Sequence, residues 1–338
     1  MSILGFHHIT LVCEDAQRTV DFYTGVLGLR LVKRTVNFDE PDTYHLYFGD
    51  ATGRPGTLVT FFEWPSGNPG RPGIGGTHHL ALEARDQVSL ELWRRRLTQA
   101  CLTVEGPRDH AQGRAIRFRD PDGVILEIIS MEPSPPKLAE IPPNGRKEPV
   151  VDITARMKLE LGIQHITCMS SNLERTHAFW SGLLGMQRVS EEGGRDGEPK
   201  HWAWGDAEGR SSFRMSYVEG NPEKEPRARI GVGQTHHFAM AVADETTQAA
   251  WREKLRRAGL PVSPVMDRVY FKSVYTRDPD GHLIELATQG PGFSVDENAD
   301  ELGRSLRLPP WLEPRRSGIE SSLKPLKVDA GTPQTAPS

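Results

Sequence analysis

The sequence predicts an α+β protein made of four βαβββ modules that form two domains with curved mixed sheets. Three observations carry this reading. Residues 7–32, HHITLVCEDAQRTVDFYTGVLGLRLV, match residues 164–189, QHITCMSSNLERTHAFWSGLLGMQRV, at an offset of 157. THHLALEARDQ…DPDGVILEI over 77–128 matches THHFAMAVADE…DPDGHLIEL over 235–286 at an offset of 158. Within each half, short runs of strand length follow a single amphipathic helical stretch, twice over. Self-similarity across both half-chains marks a duplication, whose units bury their apolar faces by packing on one another.

The units span 5–64, 76–130, 162–219 and 233–288. The first opens on HHITLV, where alternation sets His8, Thr10 and Val12 on one face and Ile9 and Leu11 on the other. Val20, Phe22, Tyr23, Val26 and Leu27 then recur at helical spacing. TYHLYFGD and GTLVTFF read as the strands that follow. In the fourth unit, DETTQAAWREKLRRAG has Asp244 as its N-cap and Gly259 as its C-cap. HLIELAT closes that unit as a strand. SGNPGRPGIGGT and EGNPEKEPRARIGVGQT occupy equivalent places between units and read as exposed loops. The organisation is therefore an N-terminal domain over 1–130, a Pro- and charge-rich linker over 131–160 and a C-terminal domain over 161–288. An extension over 289–338 follows, in which LPPWLEP is expected to dock on the body and DAGTPQTAPS to be disordered.

Bulk properties exclude several functions. A net charge of −4 in 338 residues offers no electrostatic footprint for nucleic acid or an anionic membrane. No apolar run approaches the ~20 residues needed to span a bilayer. The N-terminus has neither a basic region nor a long apolar segment, so no secretion signal is expected. Cys13, Cys101 and Cys168, with no CxxC among them, read as buried thiols in a reducing compartment, which places the protein in the cytoplasm.

The chemistry sits at the strand ends. In GHLIELAT, Ile284 and Leu286 share one face, and Leu283, Glu285 and Ala287 the other. An ionised Glu285 in so apolar a sheet is costly unless paired or bound to a cation. His237 lies 48 residues before Glu285, as His79 lies 48 before Glu127. Two imidazoles and one carboxylate make the facial triad of non-haem Fe(II) sites, which leaves half the coordination sphere open. A four-ligand isomerase site needs a further carboxylate late in the first or third unit, and neither GTLVTFF nor SSFRMSY contains one. DPDG by itself is a turn and nothing more.

Across residues 5–288 these motifs resemble the vicinal oxygen chelate superfamily, and within it the ring-cleaving dioxygenases that open para-hydroquinones. HHITLV, LVKRTVNFD…YHLYFGD…GRPGTLVTFF, GQTHHFAMAV, DRVYFKSVYTRDPDGHLIELAT and PGFSVDE…LPPWLEP carry the resemblance. It implies a metal held by His8, His237 and Glu285, with active-site roles for His7, Thr10, His236, Arg268 and Tyr275. Fe(II) is the expected cofactor and Mn(II) the alternative; an aromatic small molecule and O2 are the expected partners, and homo-oligomerisation stays open. His7 and His236 each precede a ligand, so only a bulge or strand-end twist brings them to the site.

His165, His79 and Glu127 form a second complete set. Spacing leaves two arrangements open, first unit with fourth and second with third, or neighbours paired; the resemblance favours the former. The surroundings of the two sets differ. His110 stands against Arg268, Gln112 against Tyr270, Arg117 against Tyr275 and Gln164 against His7, so the second set reads as a degenerate pseudo-site.

The expected reaction is extradiol-type ring cleavage. His236 acts as acid or base, Arg268 stabilises developing negative charge, and Tyr275 and Thr10 position the aromatic hydroxyl. Competing expectations are a glyoxalase-like metal-dependent isomerase or lyase, separated by its independence of O2, and a binding or resistance protein without turnover.

Overall fold

The structure, a computed structural model, describes residues 1–110, 113–131, 162–194, 198–206 and 213–328. The interdomain linker and the final tail of the sequence reading lie outside those residues. The first unit forms β1 (Gly5–Cys13), a helical segment, β2 (Arg30–Val36), β3 (Tyr44–Gly49) and β4 (Leu58–Glu63). The second forms β5 (Thr77–Ala84), helix Gln87–Gln99, β6 (Glu105–His110), β7 (Gly113–Arg119) and β8 (Ile125–Ser130). The third forms β9 (Ile163–Ser170), a helical segment, β10 (Gln187–Glu192), β11 (His201–Gly205) and β12 (Arg214–Glu219). The fourth forms β13 (Thr235–Val242), helix Glu245–Arg257, β14 (Met266–Asp267), β15 (Lys272–Arg277) and β16 (Leu283–Thr288). Each unit is βαβββ.

The helix of each unit starts at a side-chain cap. Asp15, Asp86, Asn172 and Asp244 accept the backbone N–H three residues on, at 2.9, 2.7, 2.9 and 2.7 Å, worth ~1 kcal/mol apiece. The fourth helix is capped at its far end by Ala258, and Gly259, at φ +81°, stands one residue beyond, where the left-handed conformation favours glycine. In the first and third units the helix widens into π-turns, Asp21–Val26 and Ala178–Leu183. These seat Phe22 and Tyr23, and Phe179 and Trp180, in the core.

The units assemble into two eight-stranded sheets, β14-β15-β16-β13-β1-β4-β3-β2 and β10-β11-β12-β9-β5-β8-β7-β6. The first unit thus joins the fourth across the antiparallel β1–β13 seam, and the second joins the third across β5–β9. Each sheet takes one unit from either half of the chain. Ile9, Leu11, Phe238, Ile284 and Leu286 face the main apolar core with Trp93, Trp180 and Trp251, each apolar side chain contributing about 1.5–3 kcal/mol by burial.

The structure refines two expectations, on the inter-unit loops and the extension, and corrects one, on Cys101. The two inter-unit segments are not free loops: Arg71 and Arg229 exchange backbone hydrogen bonds at 2.9 Å, and Gly70 and Ile74 donate to Val232 and Pro226. Each segment thereby satisfies polar backbone of the other. Cys101 is exposed, at φ +62° after its helix, whereas Cys13 and Cys168 are buried. The extension docks, but LPPWLEP does so through Leu308 and Leu312 while Trp311 stays exposed against Phe38. Its main anchor is Lys33, fully buried, which donates to Phe293 O at 3.2 Å, to Asp296 at 2.6 Å and to Glu297, over the ring of Tyr270. Among the described residues no helix is long and apolar enough to cross a membrane.

Candidate metal centre

The repeated histidine pairs are explained by bulges. The β1–β13 register shifts between Phe6 and His8 and between Thr10 and Leu11, opposite His237 and Thr235, so His7 and His236 are the extra residues. A bulge turns two consecutive side chains toward one face. The β5–β9 seam shifts likewise around His78 and Gln164.

His8 Nε2 and His237 Nε2 lie 3.1 Å apart, and Glu285 Oε2 lies 3.4 and 3.0 Å from them. All three residues are buried. Although both ring nitrogens are near, Glu285 Oε2 has no hydrogen-bond partner among the described residues. Its other oxygen accepts from Ser273 Oγ at 2.5 Å. Ligand atoms ~2.1 Å from an ion and at right angles around it are roughly 3 Å apart. The converging lone pairs therefore fit a divalent metal better than a hydrogen-bond network.

The register also accounts for the fourth position. Ala239, two residues after His237, pairs with Glu285; Thr10, two residues after His8, pairs with Thr60. Thr60 is thus the pseudo-twofold mate of Glu285, where an isomerase would carry its second carboxylate. Glu63 stands farther along β4 and accepts from the Ala16 N–H at 3.0 Å, as part of the helix start.

His7 Nδ1 is 2.9 Å from His8 Nδ1, and His236 Nδ1 is 2.8 Å from His237 Nδ1. An imidazole that presents its Nε2 lone pair inward keeps its proton on Nδ1, so His7 and His236 accept there and carry their own protons on Nε2. Burial, with the neighbouring imidazole, lowers both to about 3 and keeps them neutral at pH 7. His236 thus presents a neutral ring whose Nε2 carries a proton. Thr10 Oγ1 lies 3.1 Å from His237 Nε2 and 2.8 Å from Thr60 Oγ1. The Tyr275 ring stands edge-on to His237 at 5.7 Å, with the Arg268 guanidinium 5.6 Å from its centroid. Arg268 also reaches Asp39 at 3.4 Å. Its turn is held by Val269 at φ +69°, a strained conformation for a β-branched residue.

The structure adds residues absent from the sequence reading. His45 Nε2 bonds Thr60 Oγ1 at 3.1 Å, and Tyr47 OH bonds His45 Nδ1 at 3.0 Å, extending the polar row from Thr10. Phe271 packs on the rings of His7 and His8. Alternation within YHLYFGD and KSVYTR places His45 with Tyr47, and Ser273 with Tyr275, on common faces. That was the available signal.

The second set converges too: His79 Nε2 is 3.0 Å from His165 Nε2, and Glu127 Oε2 is 3.3 and 3.6 Å from them. Arg117 donates to Glu127 Oε1 through Nε at 2.8 Å and Nη2 at 2.5 Å. Gln112, matched to Tyr270 in the sequence, lies outside the described residues.

The model of the glyoxalase/bleomycin resistance protein/dioxygenase superfamily matches residues 5–128 and 162–286. The provisionally named ring-cleaving dioxygenase MhqA of Bacillus subtilis is 36% identical over 327 residues, 97% of this chain and 100% of its own. A chlorohydroquinone/hydroquinone 1,2-dioxygenase of Sphingobium indicum is 32% identical, covering 91% of this chain and 92% of its own. A crystal structure of a provisionally named Bacillus subtilis dioxygenase superposes with a TM-score of 0.81 at 30% identity, over 96% of this chain and 98% of that one. A family model matched in both halves and a relative alike from end to end lead to one conclusion: the chain belongs to the glyoxalase/bleomycin resistance protein/dioxygenase superfamily.

Proposed function

We propose that the chain is a metal-dependent, extradiol-type dioxygenase that opens a hydroquinone-type aromatic ring, substituted or not. The observation that carries this reading is the buried Glu285 Oε2, without a donor and facing two imidazole nitrogens. End-to-end similarity to a hydroquinone 1,2-dioxygenase supports the substrate class. His8, His237 and Glu285 would hold the metal, Fe(II) in preference to Mn(II). When bound, it supplies a Lewis-acidic, redox-capable centre with positions open to substrate and O2.

The chain's own groups supply the rest. Arg268 is a fixed cation beside Tyr275, suited to charge that develops on the substrate oxygen. Tyr275, whose proton burial and Glu285 hold more firmly than usual, donates to that oxygen rather than ionising. Thr10, held through Thr60 to His45, positions the aromatic hydroxyl. His236 Nε2 is the atom we assign to proton exchange on the opposite side, and His7 orients His8. Phe271 and Tyr47 limit water at the centre.

Anaerobic loading with Fe(II), followed by oxygen-uptake measurement against hydroquinones and catechols, tests the proposal. Stoichiometric O2 consumption with a ring-opened product is expected from a hydroquinone, and its loss in Glu285→Gln. Turnover of a hemithioacetal without O2 would overturn the reading in favour of the isomerase, against which Thr60 already stands.

A further inference from the structure

We propose that His79, His165 and Glu127 hold a second divalent transition-metal ion, one that clamps the β5–β9 seam and does no ring chemistry. The three inward atoms are 3.0, 3.3 and 3.6 Å apart, against 3.1, 3.0 and 3.4 Å in the first triad. Both sets match the roughly 3 Å separation that three ligands at right angles impose. All three residues are buried.

The supporting shell is present as well. His165 Nδ1 donates to Gln164 Oε1, an acceptor that leaves the His165 Nε2 lone pair directed inward. His78 Nδ1 lies 2.8 Å from His79 Nδ1, as His236 does from His237. Arg117 binds only Oε1 of Glu127, the oxygen whose counterpart in the first triad takes the Ser273 hydroxyl. Oε2 is left facing the imidazoles. The guanidinium also repels a cation, so this site binds more weakly than the first.

The reacting groups, by contrast, are replaced. By register, Arg117 stands for Tyr275, Ala115 for Ser273, Ser216 for Thr60 and Ala203 for Tyr47. Ligands kept without the substrate's hydrogen-bonding partners describe an ion-holding site. The ligands come from β5, β8 and β9, hence from units two and three, and a bound ion ties those units together as the first triad ties one and four.

The full-length, metal-free protein is titrated anaerobically with Co(II), passed through gel filtration and assayed for cobalt. Two ions per wild-type chain are expected, one in Glu127→Gln, one in Glu285→Gln and none in the double variant. Addition of Co(II) raises the Tm of Glu285→Gln but not of the double variant. One ion in the wild type, none in Glu285→Gln, or two retained in Glu127→Gln would each overturn the proposal. Should Glu127→Gln fail to fold, Glu285→Gln alone decides, with its second triad intact. These counts are independent of oxygen uptake, so failure of the dioxygenase reading leaves them standing.

Discussion

Ser273→Ala isolates the contribution of a single hydroxyl to the metal centre. Ser273 Oγ donates to Glu285 Oε1 at 2.5 Å, and both residues are fully buried. Removing the hydroxyl takes almost no volume, so no sizeable cavity term enters. What is lost is a hydrogen bond to a charged acceptor, ~1.5–3 kcal/mol. At about 1.4 kcal/mol per tenfold, that is roughly ten- to a hundredfold in affinity if the cost falls on the metal-bound state. Loss of an outer-shell partner in known metal sites spans the same range, about 10–100-fold. Chelator competition with Co(II) under anaerobic conditions measures the dissociation constant, and the Tm of the metal-free variant reports any general loss of fold. Ser273→Thr, β-branched but still a donor, is expected to restore affinity to within a few-fold. A Ser273→Ala protein that binds within twofold of wild type, with unchanged Tm, would refute the view that this bond aims Glu285 at the ion.

Other expected outcomes follow from buried charge. Lys33→Met takes from the buried Glu297 its nearer cation and leaves it Arg307, 3.3 Å away, so the expected cost in chemical denaturation lies below the ~3–5 kcal/mol of a fully unpaired buried charge; limited proteolysis should then cut within 289–328, and an unchanged digest would count against this anchor. His282 donates from Nδ1 to Asp278 at 2.7 Å and bonds Gly76 O through Nε2 at 3.1 Å, so it is a protonated donor at both nitrogens. Burial opposes that charge, but Asp278 outweighs it and raises His282 well above its ordinary value, while Asp278 is lowered. The stability difference between wild type and His282→Gln should therefore be largest between about pH 4 and 6.5, the ordinary Asp and His values. It should fall in acid as Asp278 protonates and in alkali as His282 deprotonates; a flat difference would remove the ion pair from the account. Asp120, the matching residue in the other half, has no such partner, and burial pushes it up to about 7. Its folded state holds a proton that the unfolded chain releases near pH 4, so wild type should lose up to about 4 kcal/mol relative to Asp120→Asn between pH 4 and 7. Equal pH profiles in denaturation would sink that reasoning.

The helix caps, the strand faces and the identity of both histidine–glutamate sets were legible in the chain, because each depends on neighbours within a few residues. Asp244 caps its helix and Glu285 faces away from Ile284 and Leu286 whatever lies beyond them. The pairing of units was not legible. Alternation says which face His8 occupies, but β1 reaches β13 only through a register between residues more than two hundred positions apart. The bulges that bring His7 and His236 beside the ligands belong to that same seam, since a bulge is a mismatch between two strands and neither strand carries it alone. Tertiary structure likewise decided the difference between the triads: Ser273 touches Glu285, whereas Arg117 grips Glu127 from the position where Tyr275 stands in the first. Lys33, a charged residue in an otherwise strand-like run, found its anions on an extension some 260 residues away. Side-chain direction is a local, periodic property of the backbone and can be read one residue at a time; which groups meet across a sheet depends on long-range register, which exists only once the strands have paired.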